Sequence, residues 1–223
     1  MNKDELLFIV TGTTRGLGNS IYLELLEEQN NILTINKSYF KHNENIIFDF
    51  TEVDELERKL IPKLKEKIKN YKTIVMILNA GMINPIKEIG SYDTSDIINI
   101  FNANCISPIA LTNFIVQENK KGVVLNVTTG GINYNFEGLG LYTASKNATH
   151  KCFDIANIED TNMSFVNFDP GTMKTQMTDQ LRDDKNHFQV KSREHLNNKM
   201  EENTFKSTNQ SAQELLEIIY DLL

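Results

Sequence analysis

The sequence predicts an open, doubly wound parallel α/β sheet with helices on both faces. Short, almost purely apolar runs of strand length recur along the chain, as expected of strands buried on both faces of a parallel sheet. Between them lie longer segments with apolar residues at helical spacing, so strand and helix alternate throughout. Right-handed crossovers between parallel strands then give the order 3-2-1-4-5-6 for the six strands that are readable.

The first strand is residues 6–10, and it runs into Thr11-Gly12-Thr13-Thr14-Arg15-Gly16-Leu17-Gly18. After Gly18 the spacing turns helical, with Ile21, Leu25 and Leu26 on one side and Glu24, Glu27 and Glu28 towards water. Residues 31–37 read as a second strand and residues 45–50 as a short third. Residues 52–70 read as a charge-laced helix with Val53, Leu56, Leu60, Leu64 and Ile68 as its buried stripe. Pro62 within it implies a kink or two shorter helices. The fourth strand, Thr73–Leu78, leads to Asn79-Ala80-Gly81. Asp93 or Thr94 can cap a helix through about Glu118, and Pro108 within it implies a bend. A fifth strand at residues 122–127 leads to Thr128-Thr129-Gly130-Gly131, followed by a helix over 141–158 and a sixth strand at 164–168. Residues 211–222 form an amphipathic helix with Leu215, Leu216, Ile219 and Leu222 along one side. With no linker or compositional break, residues 1–223 are expected to be a single domain.

Composition narrows the partners. A net charge of -7 and a pI near 5.2 argue against nucleic acid or an anionic membrane as partner. No apolar stretch is long enough to cross a bilayer, and Met1-Asn2-Lys3-Asp4-Glu5 is not the start of a signal peptide. Cys105 and Cys152 fall in predicted helices and read as free thiols, which fits a cytoplasmic location. His42, His150, His187 and His195 show no spacing for a metal or a triad, so no metal site is expected.

A strand, a glycine turn and a helix opening suit a dinucleotide pyrophosphate. Glycine permits the close backbone approach, and the helix start offers free N–H groups with a positive dipole end. A protein selecting NAD usually places Asp or Glu at the end of the second strand, against the ribose 2′-hydroxyl. Asn36 and Lys37 stand there instead, and Arg15 in the glycine loop can reach the same place. Two cations and no carboxylate favour the extra phosphate of NADP(H), with NAD(H) as the second candidate.

Tyr142-Thr143-Ala144-Ser145-Lys146 is a Tyr-x-x-x-Lys element, and its company is specific. Thr11-Gly12-x-x-x-Gly16-x-Gly18, Asp49 after the third strand, Asn79-Ala80-Gly81, Asn104, and Pro170-Gly171 with Thr175 appear in order. On these motifs the chain resembles the short-chain dehydrogenase/reductase family from about Phe8 to Thr175. Within the family it is most similar to the sepiapterin reductase and benzil reductase branch. That likeness rests on Thr-Gly-x-x-Arg-Gly-Leu-Gly, the short interval from Tyr142 to Pro170, and the segment from Pro170 to Met177.

The resemblance implies a Rossmann-type fold and a catalytic set of Tyr142, Lys146, Thr129 and Asn104. Tyr142 is the expected proton donor to a carbonyl, and the Lys146 ammonium one turn later is expected to lower its pKa. Thr129, thirteen residues before Tyr142, stands where the family has a serine that orients the carbonyl; the adjacent Thr128 competes, and spacing favours Thr129. Asn104 would support a water on the proton path, unless its side chain only bonds its own helix. The cofactor set begins with Gly12, Thr14, Arg15, Gly16, Leu17 and Gly18, then Asn36, Lys37, Asp49 and Phe50. It continues with Asn79, Ala80, Gly81, Tyr142 and Lys146, and ends with Pro170, Gly171, Thr172, Met173 and Thr175.

Residues 169–200 correspond to a segment that closes over substrate in the family. Met173, Met177, Leu181 and Phe188, with Tyr134 and Phe136 opposite, are candidate pocket walls. Most relatives carry a seventh strand after the last helix, and it is missing here, which leaves the sixth strand at an open edge. A homodimer is therefore expected to use the helix faces around Asn104 and Tyr142, with a polar flank of Asn147, His150, Lys151 and Asp154. The function implied is reduction of a small ketone, diketone or aldehyde. The alternatives are a 3-oxoacyl-thioester reductase and a non-catalytic dinucleotide-binding regulator.

Overall fold

The computed structural model describes residues 3–40, 44–159, 161–182 and 205–223, together with Glu194 and Asn198. Phe188, His42, His187 and His195, named above, lie outside the described residues. The strands are β1 (Leu6–Thr11), β2 (Asn31–Asn36), β3 (Glu44–Ile47), β4 (Thr73–Leu78), β5 (Lys121–Val127) and β6 (Met163–Phe168). They form one parallel sheet in the order β3-β2-β1-β4-β5-β6. The winding direction reverses between β1 and β4, and their carboxyl ends open the crevice where this fold class binds ligands.

Successive side chains of a strand point to opposite faces, and β1 divides its residues accordingly. Leu7 and Ile9 enter a core with Leu64 and Ile68 of α2 (Ile61–Ile68) and Leu111, Phe114 and Ile115 of α4 (Ser107–Gln117). Phe153 of α5 (Gly140–Ala156) joins the same core. On the other face Leu6, Phe8 and Val10 meet Leu17, Ile21 and Leu25 of α1 (Gly16–Glu27). Ala212, Leu215, Leu216 and Ile219 of α7 (Thr208–Leu222) complete that layer. All six residues of β1 and of β4 are buried, which is why both read as unbroken apolar runs.

Both prolines divide their helices as expected. Residues 52–70 become a 3-10 turn at Val53–Glu55, a π-helical turn at Leu56–Leu60, and α2 with Pro62 in its first turn. There the helix runs straight on from the π turn, so the missing N–H leaves the ladder one bond short where the winding changes. Likewise α3 (Thr94–Phe101) passes through a π-helical turn at Asn102–Ile106 into α4, with Pro108 in its first turn. Asp93 precedes α3, and its N–H donates to the Asp96 carboxylate at 3.2 Å.

The third strand ends earlier than expected, at Ile47 rather than residue 50. The chain turns because Asp49 Oδ1 accepts from the Thr51 N–H at 3.0 Å and the Thr51 hydroxyl at 2.9 Å. The last helix begins earlier, at Thr208. Ser207 and Gln210 cap it reciprocally: the Gln210 N–H donates to Ser207 Oγ at 3.1 Å, and the Ser207 N–H to Gln210 Oε1 at 3.0 Å. Among the described residues no helix is long and apolar enough to cross a membrane.

Candidate active site

The glycine turn joins β1 to α1 at the crevice. Gly12 has φ +72°, and a Cβ there would lie 2.9 Å from Ala80 Cα, so only glycine lets the two loops touch. A Cβ on Gly18 would collide with the Gly12 carbonyl and the Asn79 amide. Asn79 Nδ2 donates to the carbonyls of Thr11 (3.1 Å) and Gly12 (2.8 Å). Thr11 Oγ1 in turn accepts from the N–H groups of Asn79 (3.0 Å) and Ala80 (2.9 Å). The start of α1 has no side-chain cap and no acidic residue in its first turn. Its unpaired N–H groups and dipole end suit a pyrophosphate, and the glycine cradle leaves room for one. Thr175 lies against this turn, its Cγ2 being 3.7 Å from where a Gly16 Cβ would stand.

At the adenosine end the structure places the expected residues differently from one another. Asn36 is only 2% exposed, and its amide is spent inside the protein. Asn36 Oδ1 accepts from the Thr13 N–H at 2.7 Å, while Nδ2 donates to Asn45 Oδ1 at 2.8 Å. Asn36 therefore braces the glycine loop against β2 and β3. Asn45, which sequence reasoning passed over, is the second anchor of this network and also accepts from Thr34 Oγ1 at 3.0 Å. Lys37 and Arg15 are exposed, as is Thr14. The Lys37 ammonium pairs with Asp49 Oδ2 at 2.5 Å. Burial works to raise the Asp49 carboxyl, but Lys37 and the two Thr51 donors together bring it below its ordinary value. Phe50 packs on the core beside Phe48, ring centroids 5.6 Å apart.

Two of the catalytic candidates, Asn104 and Lys146, meet under Gly81. Tyr142 and Lys146 lie one turn apart on α5 and are 9% and 5% exposed. Lys146 Nζ donates to the Val127 carbonyl at 2.7 Å. Asn104, in the π-helical turn, bonds across to the β4 loop rather than to its own helix. Its Oδ1 accepts from the Met82 N–H at 2.9 Å, and its Nδ2 donates to the Met82 carbonyl at 2.8 Å and to Ser145 Oγ at 3.1 Å. A Cβ on Gly81 would lie 3.3 Å from Asn104 Oδ1 and 3.4 Å from Lys146 Nζ, so glycine keeps the space above this pair open.

Thr129 Oγ1 accepts from the Gly131 N–H at 3.1 Å, and its hydroxyl faces the Tyr142 phenol. Thr128 instead turns its hydroxyl to His150 Nδ1 at 3.4 Å. Burial pushes the Tyr142 phenol up to about 12; the Thr129 hydroxyl eases this and the Asp169 charge adds to it. The expected lowering by Lys146 is not seen. That ammonium is bonded to Val127, and burial brings its own pKa down to about 8.

Beyond the sheet, Pro170 is buried and its carbonyl accepts from Ser211 Oγ at 2.9 Å. Gly171 turns with φ +74°, and the Thr172 carbonyl accepts from the Lys206 N–H at 3.1 Å. Of the candidate pocket walls, Met177 and Leu181 of α6 (Gln176–Arg182) and Phe136 pack on a cluster containing Ile83, Leu139 and Tyr142. Met173 does not join them; its side chain lies in the core with Leu215 and Phe168, because the 170–173 turn is pinned inward at both ends. Tyr134 stays exposed. Ser145 and Asp169 were missed, although Asp169 immediately precedes Pro170-Gly171.

The family model described as short chain dehydrogenase matches residues 7–186. Benzil reductase ((S)-benzoin forming) of Bacillus cereus is 30% identical over 197 residues, covering 78% of this chain and 78% of that protein. Diacetyl reductase [(S)-acetoin forming] of Staphylococcus epidermidis is 26% identical over 188 residues, covering 78% and 73%. Among solved structures, the KRED1-Pglu enzyme superposes with a TM-score of 0.79 at 19% identity, over 97% of this chain and 95% of that one, a likeness of fold. With this match spanning the glycine turn, the parallel sheet and the Tyr142/Lys146 helix, the chain belongs to the short-chain dehydrogenase family of oxidoreductases.

Proposed function

We propose that this oxidoreductase is a single-domain, NADP(H)-preferring reductase of a small ketone, diketone or aldehyde, with Tyr142 as proton donor. The observation that carries the reading is the buried Tyr142 with the half-buried Thr129 hydroxyl facing it, on the helix that also carries the buried Lys146. The names of the benzil and diacetyl reductases support a dicarbonyl as the substrate class. Arg15 and Lys37, both exposed at the adenosine end, support the phosphorylated dinucleotide. Free thiols at Cys105 and Cys152 fit a reducing cytoplasm.

When bound, the dinucleotide supplies the hydride. The glycine turn and the open start of α1 would hold its pyrophosphate, with Lys146 available to ribose hydroxyls once released from Val127. A carbonyl that accepts hydride gathers negative charge on oxygen, and two hydroxyls held beside it meet that charge. Tyr142 transfers its proton to this oxygen, and Thr129 fixes the carbonyl in line with it. A phenol held near 12 stays protonated throughout the neutral range, so it is always ready to donate in the reductive direction. Asn104 acts by holding the Met82 loop and Ser145, which keeps α5 in register with β4.

The test is oxidation of NADPH and of NADH against vicinal diketones, aldehydes and simple ketones. Turnover of a diketone with NADPH is expected. Tyr142→Phe keeps the ring and removes the proton, so the rate should fall at least about a hundredfold while the cofactor still binds. Comparable turnover in that variant would remove Tyr142 from the chemistry.

A further inference from the structure

Asp169 precedes the Pro170-Gly171 turn, and its carboxylate folds back over the Thr129–Gly131 turn. Oδ1 accepts from the Gly171 N–H at 3.0 Å, which fixes the side chain in place. Oδ2 lies only 2.7 Å from where a Cβ on Gly130 would stand, so the turn is glycine where the carboxylate rests on it. Gly130 adjoins Thr129, whose hydroxyl faces Tyr142, and the Asp169 charge is felt at that phenol. An exposed carboxylate therefore rests on the residue next to Thr129, at the rim of the site that holds the two hydroxyls.

We propose that Asp169 sets the charge preference of the substrate pocket, with Oδ2 accepting a hydrogen bond from an ammonium or hydroxyl group on the carbon next to the reacting carbonyl. A carboxylate at that position would instead be repelled, since like charges a few ångströms apart disfavour one another even at an exposed rim where solvent screens part of the field. The favoured substrates are amino ketones and hydroxy ketones, and 2-oxo acids are rejected. This rests on the reading of Tyr142 and Thr129 as the pair that addresses the carbonyl.

Aminoacetone, hydroxyacetone and pyruvate offer one ketone with three different neighbours. Each is assayed for kcat/KM with NADPH in the unaltered protein and in Asp169→Asn. Asparagine keeps an acceptor for Gly171 and removes only the charge. The expected result is that the aminoacetone-to-pyruvate ratio falls at least tenfold in the variant. Ratios cancel any effect on cofactor binding or on Tyr142 itself. Binding of the same three compounds to the NADP+-loaded protein is measured by calorimetry, with the same ordering expected and the same collapse in the variant. If none is turned over, the carbonyl-reductase reading fails and calorimetry alone decides the proposal. A ratio unchanged between the two proteins, or no measurable binding of aminoacetone, would overturn it.

Discussion

Lys146 carries its ammonium into the protein with the Val127 carbonyl as its hydrogen-bond partner. Burial brings its pKa from the ordinary 10.5 to about 8, so holding the charge at neutral pH costs on the order of 3 kcal/mol. Lys146→Met removes that cost and also a charged hydrogen bond worth about 1.5–3 kcal/mol, leaving a gain of up to about 1.5 kcal/mol. Thermal unfolding at pH 7 should therefore show a variant at least as stable as the parent, with activity lost. The sign with pH follows. Between about 8 and 10.5 the unfolded chain keeps this proton and the folded one does not, so the parent gains stability relative to the variant as pH rises. A variant that is several kcal/mol less stable at pH 7 would show that Lys146 is a structural strut.

Lys37 is the other cation whose environment matters. Its pairing with Asp49 places a carboxylate beside the expected site of the extra phosphate. Lys37→Ala should weaken NADPH by roughly 1–3 kcal/mol and NADH little, read by titration calorimetry. Equal losses for both cofactors would remove Lys37 from phosphate recognition. That Lys37 is a nucleotide candidate was legible from its place after the second strand. That Asn36 is not free to help was illegible, because its partners Thr13 and Asn45 meet it only through the fold. The register of β2 on β3 sets Thr34 opposite Asn45, and the glycine loop curls back to bring the Thr13 N–H onto Asn36.

Among the elements, the glycine loop is held by side chains from neighbouring strands as well as by the backbone bond from the Gly12 N–H to the Ile35 carbonyl. Asn36 reaches it from β2 and Asn79 from β4, and each closes hydrogen bonds that no local sequence pattern announces. Asn36→Ala leaves the Thr13 N–H without its partner, at a cost of about 1–3 kcal/mol, while Asn45 Oδ1 keeps Thr34. The variant should unfold at lower temperature and bind both dinucleotides more weakly, unlike Lys37→Ala, which discriminates between them. Unchanged affinity for both would show that the brace is not needed. The π-helical turn that presents Asn104 was likewise hidden, since apolar spacing cannot distinguish a π turn from an α turn inside one continuous helix. Pro62 and Pro108 did announce their breaks, because a missing N–H is a local property.

At the scale of the whole molecule the question is which surface a second copy would cover. The sheet ends at β3 and β6 among the described residues, and an edge strand offers unpaired N–H and C=O groups to a neighbour. The helical face has a stronger claim. Ile98 on α3 is 51% exposed, and Ile106 in the following turn and Ile155 on α5 are each 44% exposed. Apolar side chains on the outer faces of packed helices are the usual material of a self-complementary interface. Asn147, Lys151 and Asp154 on the same helix are exposed and polar, so the contact is expected to be modest in strength. The protein should therefore form a concentration-dependent dimer by light scattering. Ile106→Asp should leave a monomer with its unfolding temperature within a few degrees of the parent, because an exposed residue gives little to the fold. A dimer that survives Ile106→Asp together with Ile98→Asp would place the interface elsewhere, with the β6 edge as the next surface to block.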